Sequence, residues 1–73
     1  MNTVDLSETI YETLRKFPEL KDLFIEIGFK PLENKHMVET VGRLTSLKQG
    51  SKIAGIPIES IENALKENGY LVK

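Results

Sequence analysis

The sequence predicts an all-α domain, a compact orthogonal bundle of about five short helices. Three observations carry that prediction. Apolar residues recur at steps of three and four, prolines and glycines fall where helices start and stop, and no segment sustains the alternation of a strand. Only Tyr70-Leu71-Val72 could be locally extended. At 73 residues the chain reads as one domain, 1–73, without room for a second core.

The first helix is expected to begin after Ser7, with Asp5 as a rival cap because Glu8 stands three residues beyond it. Ile10, Leu14 and Phe17 share one face beside Tyr11, and Glu12 and Lys16 form an i, i+4 pair on the other. Pro18 ends this helix and opens the next, where Leu20, Leu23, Phe24 and Ile27 make an apolar stripe. Gly28 is a left-handed stop, and Phe29 beyond it can fold back onto the helix. Residues 30–36 read as a loop with Asn34 as a cap.

A third helix from Lys35 to Leu44 is expected to bury Met37, Val41 and Leu44, with Gly42 as its weak point. Thr45 or Ser46 then caps a fourth, Leu47 to Ala54, which Gly55 terminates. Pro57 opens the fifth, with Ile58, Ile61 and Leu65 buried and Gly69 as its stop. The predicted core is Phe17, Leu20, Phe24, Ile27, Val41, Ile53, Ile61 and Leu65. One echo runs through the pattern. Pro18 to Phe29 and Pro57 to Tyr70 each give a proline, an amphipathic helix, a glycine and an aromatic. It is either a structural repeat or the same start and stop chemistry used twice.

Phe17-Pro18-Glu19-Leu20, Leu23-Phe24, Ile27-Gly28-Phe29 and the closing Asn68-Gly69-Tyr70 resemble a small bacterial helical domain, domain of unknown function eighteen-fifty-eight. That family is similar in turn to the N-terminal domain of iron–sulfur cluster repair proteins. The run from Val41 to Gly55 looks like a cysteine-free branch of it. The resemblance implies a bundle of short helices with no assigned activity. It also implies that many members carry paired cysteines just after the position of Gly28. Here that place holds Phe29-Lys30-Pro31-Leu32, so no thiol chemistry carries over.

Composition narrows the function classes. The chain has no cysteine, so neither a disulfide nor a thiolate metal site is available. The N-terminus lacks a basic stretch followed by an apolar run, and no stretch is long enough to span a bilayer, so a cytoplasmic location is expected. Net charge is −1 but uneven. Lys30, Lys35, Arg43, Lys48 and Lys52 against Glu33 and Glu39 leave residues 30–52 at +3, whereas residues 1–29 sum to −3 and 53–73 to −1.

No catalytic residue, metal site or cofactor is expected. His36 stands alone, and Met37 beside it points about 100° away on a helix, so the two cannot share a metal face. The carboxylate pairs Glu8/Glu12, Asp22/Glu26 and Glu59/Glu62 fall on faces expected to be wet. Gly50 and Gly55 have part of the spacing of a phosphate loop, but Ile56-Pro57 stands where Lys and Ser/Thr are required. The fourth and fifth helices mimic a helix-turn-helix. Its recognition helix would offer Glu59, Glu62 and Glu67 to phosphates against one Lys66, so nucleic-acid binding is not expected.

Two candidate surfaces remain. Thr45 and Ser46 at a helix start, with Arg43, Lys48 and Lys52, form a candidate anion site using free backbone N–H groups. Ile25, Phe29, Leu32, Leu71 and Val72 form a candidate interface, for a protein partner or for a homodimer. The expected role is a non-catalytic protein-interaction or accessory module. An accessory to iron–sulfur or redox proteins, implied by the resemblance alone, and a small-anion binder are the alternatives.

Overall fold

In the computed structural model, which describes residues 2–73, the chain runs β1 (Thr3–Val4), α1 (Ile10–Lys16), α2 (Leu20–Ile27), a 3-10 turn (Lys30–Glu33), α3 (Lys35–Glu39), α4 (Val41–Leu44), α5 (Leu47–Ala54), α6 (Ile58–Glu67) and β2 (Leu71–Val72). The fold is mostly α, as the apolar periodicity predicts, with one addition. β1 and β2 pair in parallel, Thr3 against Leu71 and Val4 against Val72. The Leu71 N–H donates to the Asn2 carbonyl and the Lys73 N–H to the Val4 carbonyl, each at 2.9 Å. Two residues per strand are too few for alternation to register in the sequence.

The start of α1 is a correction. Neither Ser7 nor Asp5 caps it; Thr9 does, its hydroxyl accepting from the Glu12 N–H at 3.1 Å. Thr9 is kept extended because it lies in an antiparallel bridge with Ser46. Across that bridge the Ile10 N–H donates to the Thr45 carbonyl and the Leu47 N–H to the Glu8 carbonyl. Asp5 instead closes a turn, its carboxylate accepting from the Ser7 amide at 2.9 Å and hydroxyl at 2.6 Å. The surface pairs differ as well. Lys16 reaches Glu8, and Glu12 pairs with Arg15 rather than Lys16.

Gly28 stops α2 as expected, at φ +139°, and the Phe29 N–H returns to the Phe24 carbonyl while the two rings meet edge to face at 5.9 Å. α6 ends the same way, with Gly69 at φ +87° and the Tyr70 N–H on the Leu65 carbonyl. The echoed segments therefore share their stop chemistry. α2 and α5 both pack on α6.

The third helix breaks in two, at Thr40 rather than Gly42. The Thr40 hydroxyl donates to the His36 carbonyl at 2.8 Å, ending α3. α4 then turns Gly42 inward against α1, where a Cβ would stand 3.6 Å from the Tyr11 nitrogen. With Gly42 inside, Val41 and Leu44 face outward, 46% and 84% exposed, against expectation. Ile53 is the other correction, at 78%. The buried face of α5 is Leu47, Gly50 and Ser51, and Ile53 lies about 110° from its centre at 100° per residue. Leu20, Phe24, Ile61 and Leu65 are core as predicted, joined by Val4, Ile10, Leu14, Phe29, Leu32, Leu47 and Tyr70. Phe17 and Ile27 pack against that core while partly exposed.

Candidate functional site

α5 cannot approach the Ile10 and Phe29 side chains closely unless its facing residue is small. Gly50 meets that need, since a Cβ there would lie 3.0 Å from Ile10 Cδ1 and 3.3 Å from Phe29 Cε1. Across from it, Gly42 brings the α4 backbone onto α1, and Gly28 turns the chain from α2 into the 3-10 turn. These three glycines line one apolar groove of about 300 Å³. Ile10, Phe29 and Leu32 form its buried floor. Val41 and Ile53, two of the exposed large hydrophobic side chains, also line it, together with the partly buried Met37.

No ionisable side chain is among the residues lining the groove, and its hydroxyl, on Thr45, belongs to a buried residue. Among the described residues every buried side-chain polar atom has a hydrogen-bond partner. Groups of three or more His, Cys, Asp or Glu able to hold a metal are absent from the described residues. The groove is thus suited to apolar surface, whose burial stabilises a contact by about 25 cal/mol per Å².

The candidate anion site looks different in three dimensions. Ser46 caps α5, accepting from the Gln49 N–H at 3.1 Å, while the Gln49 side chain accepts from the Ser46 N–H at 3.1 Å. The Leu47 N–H is taken by the Glu8 carbonyl and the Lys48 N–H by the Leu6 carbonyl. The donors on which that site rested all have acceptors within the protein, and Thr45 is buried in the bridge. The Arg43 guanidinium carbon lies over the Tyr11 ring, 3.9 Å from its centroid, a contact worth about 0.5–1 kcal/mol at an exposed position. Lys48 and Lys52 are exposed on α5.

The candidate interface also divides. Phe29 and Leu32 are core residues, 4% and 5% exposed, because the glycine stop at Gly28 folds them under the bundle. Ile25 is half-buried against the core. Leu71 is 48% exposed on β2, and Val72 packs partly inward. Sequence reading missed the groove because it seeks apolar residues in phase with one another. The available signal was the reverse: glycines at the buried phase of α4 and α5, with Val41 and Ile53 left out of phase.

Away from the groove, the Tyr70 hydroxyl donates to the Glu19 carboxylate and ties the end of α6 to the start of α2. That bond holds the Glu19 carboxyl below the ordinary glutamate value and, with desolvation, raises the Tyr70 phenol above its own. The Phe17 ring meets Tyr70 edge-on at 5.4 Å.

A family model described as Domain of unknown function (DUF1858) matches residues 4–69, from β1 to the glycine stop of α6. The chain belongs to this family. Among solved structures is the crystal structure of the conserved domain protein from Streptococcus pneumoniae TIGR4. This chain is similar to it at 48% identity with a TM-score of 0.95, covering 100% of this chain and 92% of that one. Among curated proteins none matches. Neither finding extends to iron–sulfur cluster repair proteins. In this DUF1858 chain, the stretch that the resemblance sets opposite paired cysteines supplies the groove's floor through Phe29 and Leu32.

Proposed function

We propose that this domain is a non-catalytic protein-interaction module, and that the groove between the 3-10 turn, α4 and α5 receives apolar side chains of a partner. The observation that carries this reading is the pairing of an apolar recess with protruding apolar side chains. Val41 and Ile53 are exposed at a groove floored by buried Ile10, Phe29 and Leu32. Leu44, on the same short helix as Val41, is the most exposed large hydrophobic side chain among the described residues. Contiguous apolar surface of this kind marks binding sites more often than isolated exposed residues do. Its lack of converging charged groups favours binding over acid–base or nucleophilic chemistry. A cytoplasmic setting and a role without cofactor belong to the same proposal.

The test is a heteronuclear NMR titration with a synthetic amphipathic peptide carrying Leu and Phe at i, i+3, i+4 and i+7 spacing and Gln elsewhere. The amides of Gly28, Gly42 and Gly50 are expected to shift together, while those of Gly55 and Gly69 stay still. Ile53→Asp is expected to abolish the shifts and change stability by no more than about 0.5 kcal/mol, because the side chain is exposed. Silent groove glycines at millimolar peptide would end this reading.

A further inference from the structure

We infer that the occupant of this groove is a second copy of the same chain, docked face to face about a two-fold axis. The inference rests on the groove being a protein-docking site and names its partner. A two-fold interface is isologous, so one patch must carry both the protrusion and the recess that receives it. This patch carries both. Gly28, Gly42 and Gly50 hollow it above a buried apolar floor, and Ile53 stands exposed on its α5 wall. Val41 is exposed on the α4 wall, with Leu44 about 60° round that helix from it at 100° per residue. A foreign segment that supplied only knobs would fill the recess and leave Ile53 without a recess of its own. A second copy fills the recess with its Ile53 and takes this Ile53 in return.

Charge at the face agrees with self-association. No ionisable side chain lines the groove, so two copies bring no like charges together there. Lys48 and Lys52 each lie about 160° around α5 from Gly50 at 100° per residue. The Arg43 guanidinium sits over Tyr11, and Lys35 and Glu39 line a separate recess with that tyrosine. The 3-10 turn contributes Lys30 and Glu33, of opposite sign. The whole chain carries a net charge of only −1, so long-range repulsion between copies is small as well. The same neutrality disfavours an occupant with charged groups on its contact face, which would lose water without gaining a counter-charge.

Area sets the strength of the pair. Weak, reversible complexes bury less than about 1,200 Å² in all, or about 600 Å² from each copy. That is about an eighth of the 4643 Å² this chain exposes, an amount that one face of a 28 × 24 × 20 Å body can supply. An obligate dimer would need about 1,000 Å² or more per copy, over a fifth of the surface. The pair is therefore a reversible one.

Sedimentation equilibrium between about 10 μM and 1 mM reads the association, and a dimer with a Kd of about 0.1 mM is expected. Ile53→Asp is expected to weaken it about tenfold or more, and because the side chain is exposed the variant is expected to melt like the wild type. Leu71→Asp, on the exposed part of β2, is expected to leave the association unchanged. In an equimolar mixture of isotope-labelled and unlabelled chains, filtered NMR is expected to show contacts from the Ile53 methyls of one copy to the Phe29 ring of the other.

A chain that stays monomeric at the highest concentration while its groove glycines respond to the amphipathic peptide overturns the second copy and leaves the docking reading intact. A monomer that also ignores the peptide overturns both. A dimer that survives Ile53→Asp and comes apart with Leu71→Asp overturns the inference by placing the interface on β2.

Discussion

Gly50 shows how much a single missing atom can organise. An exposed helical glycine replaced by alanine ordinarily gains about 1 kcal/mol from propensity. Here the new Cβ would press on Ile10 Cδ1 at 3.0 Å and Phe29 Cε1 at 3.3 Å, so Gly50→Ala is expected to forfeit that gain. Gly50→Val adds bulk at a site already full and is expected to lose about 1–3 kcal/mol in urea denaturation. A stabilised Gly50→Val would mean that the groove floor yields more easily than its distances imply. Tyr70 offers a second test at this scale. The hydrogen bond it donates to Glu19 lowers the carboxyl's pKa, so its stabilisation is complete above the ordinary glutamate range and is lost as pH falls through the lowered value. At the alkaline end it is complete below the ordinary tyrosine value and lost as pH rises through the raised one. Tyr70→Phe is therefore expected to melt below the wild type near neutrality and to converge with it as pH falls below the ordinary glutamate range and through the lowered Glu19 value. A gap in melting temperature that stays constant over that range would show that the bond does not contribute.

Helix α5 holds the groove wall at one angle through its first turn. Ser46 and Gln49 cap one another, and the bridge to Thr9 fixes where the helix begins. Ser46→Ala is expected to cost about 1 kcal/mol, read from the urea midpoint with an unchanged slope. It should also loosen the groove, seen as faster amide exchange at Gly50. The stops of α2, α5 and α6 were legible beforehand because Gly28, Gly55 and Gly69 announce themselves in any sequence. Ser46 was legible as one of two caps for the same reason. The start of α1 was not, since Thr9 is chosen over Ser7 by its bridge to a residue far away in the chain. The outward turn of Val41, Leu44 and Ile53 was hidden too. Hydropathy assigns apolar residues to the core, and only the packing partners of Gly42 and Gly50 show that the inward positions belong to glycine.

Across the whole molecule, the fold class followed from periodicity, while the groove and the terminal strand pair depend on contacts between distant segments. Val4 is 1% exposed although it lies in a two-residue strand, because β2 and the core cover it together. Val4→Ala is expected to cost about 2 kcal/mol, a larger effect than a frayed terminal residue would give, and circular dichroism melting measures it. The pairing of β1 with β2 carries a consequence for synthesis. Thr3 leaves the ribosome early, but Leu71, its neighbour in the sheet, is among the final residues of this segment to be made. At roughly 5–20 residues per second, the start of the segment spends seconds without its mate. During translation the Val4 side chain has no β2 to cover it, so the nascent domain stays ajar, and its closure is timed by the arrival of β2.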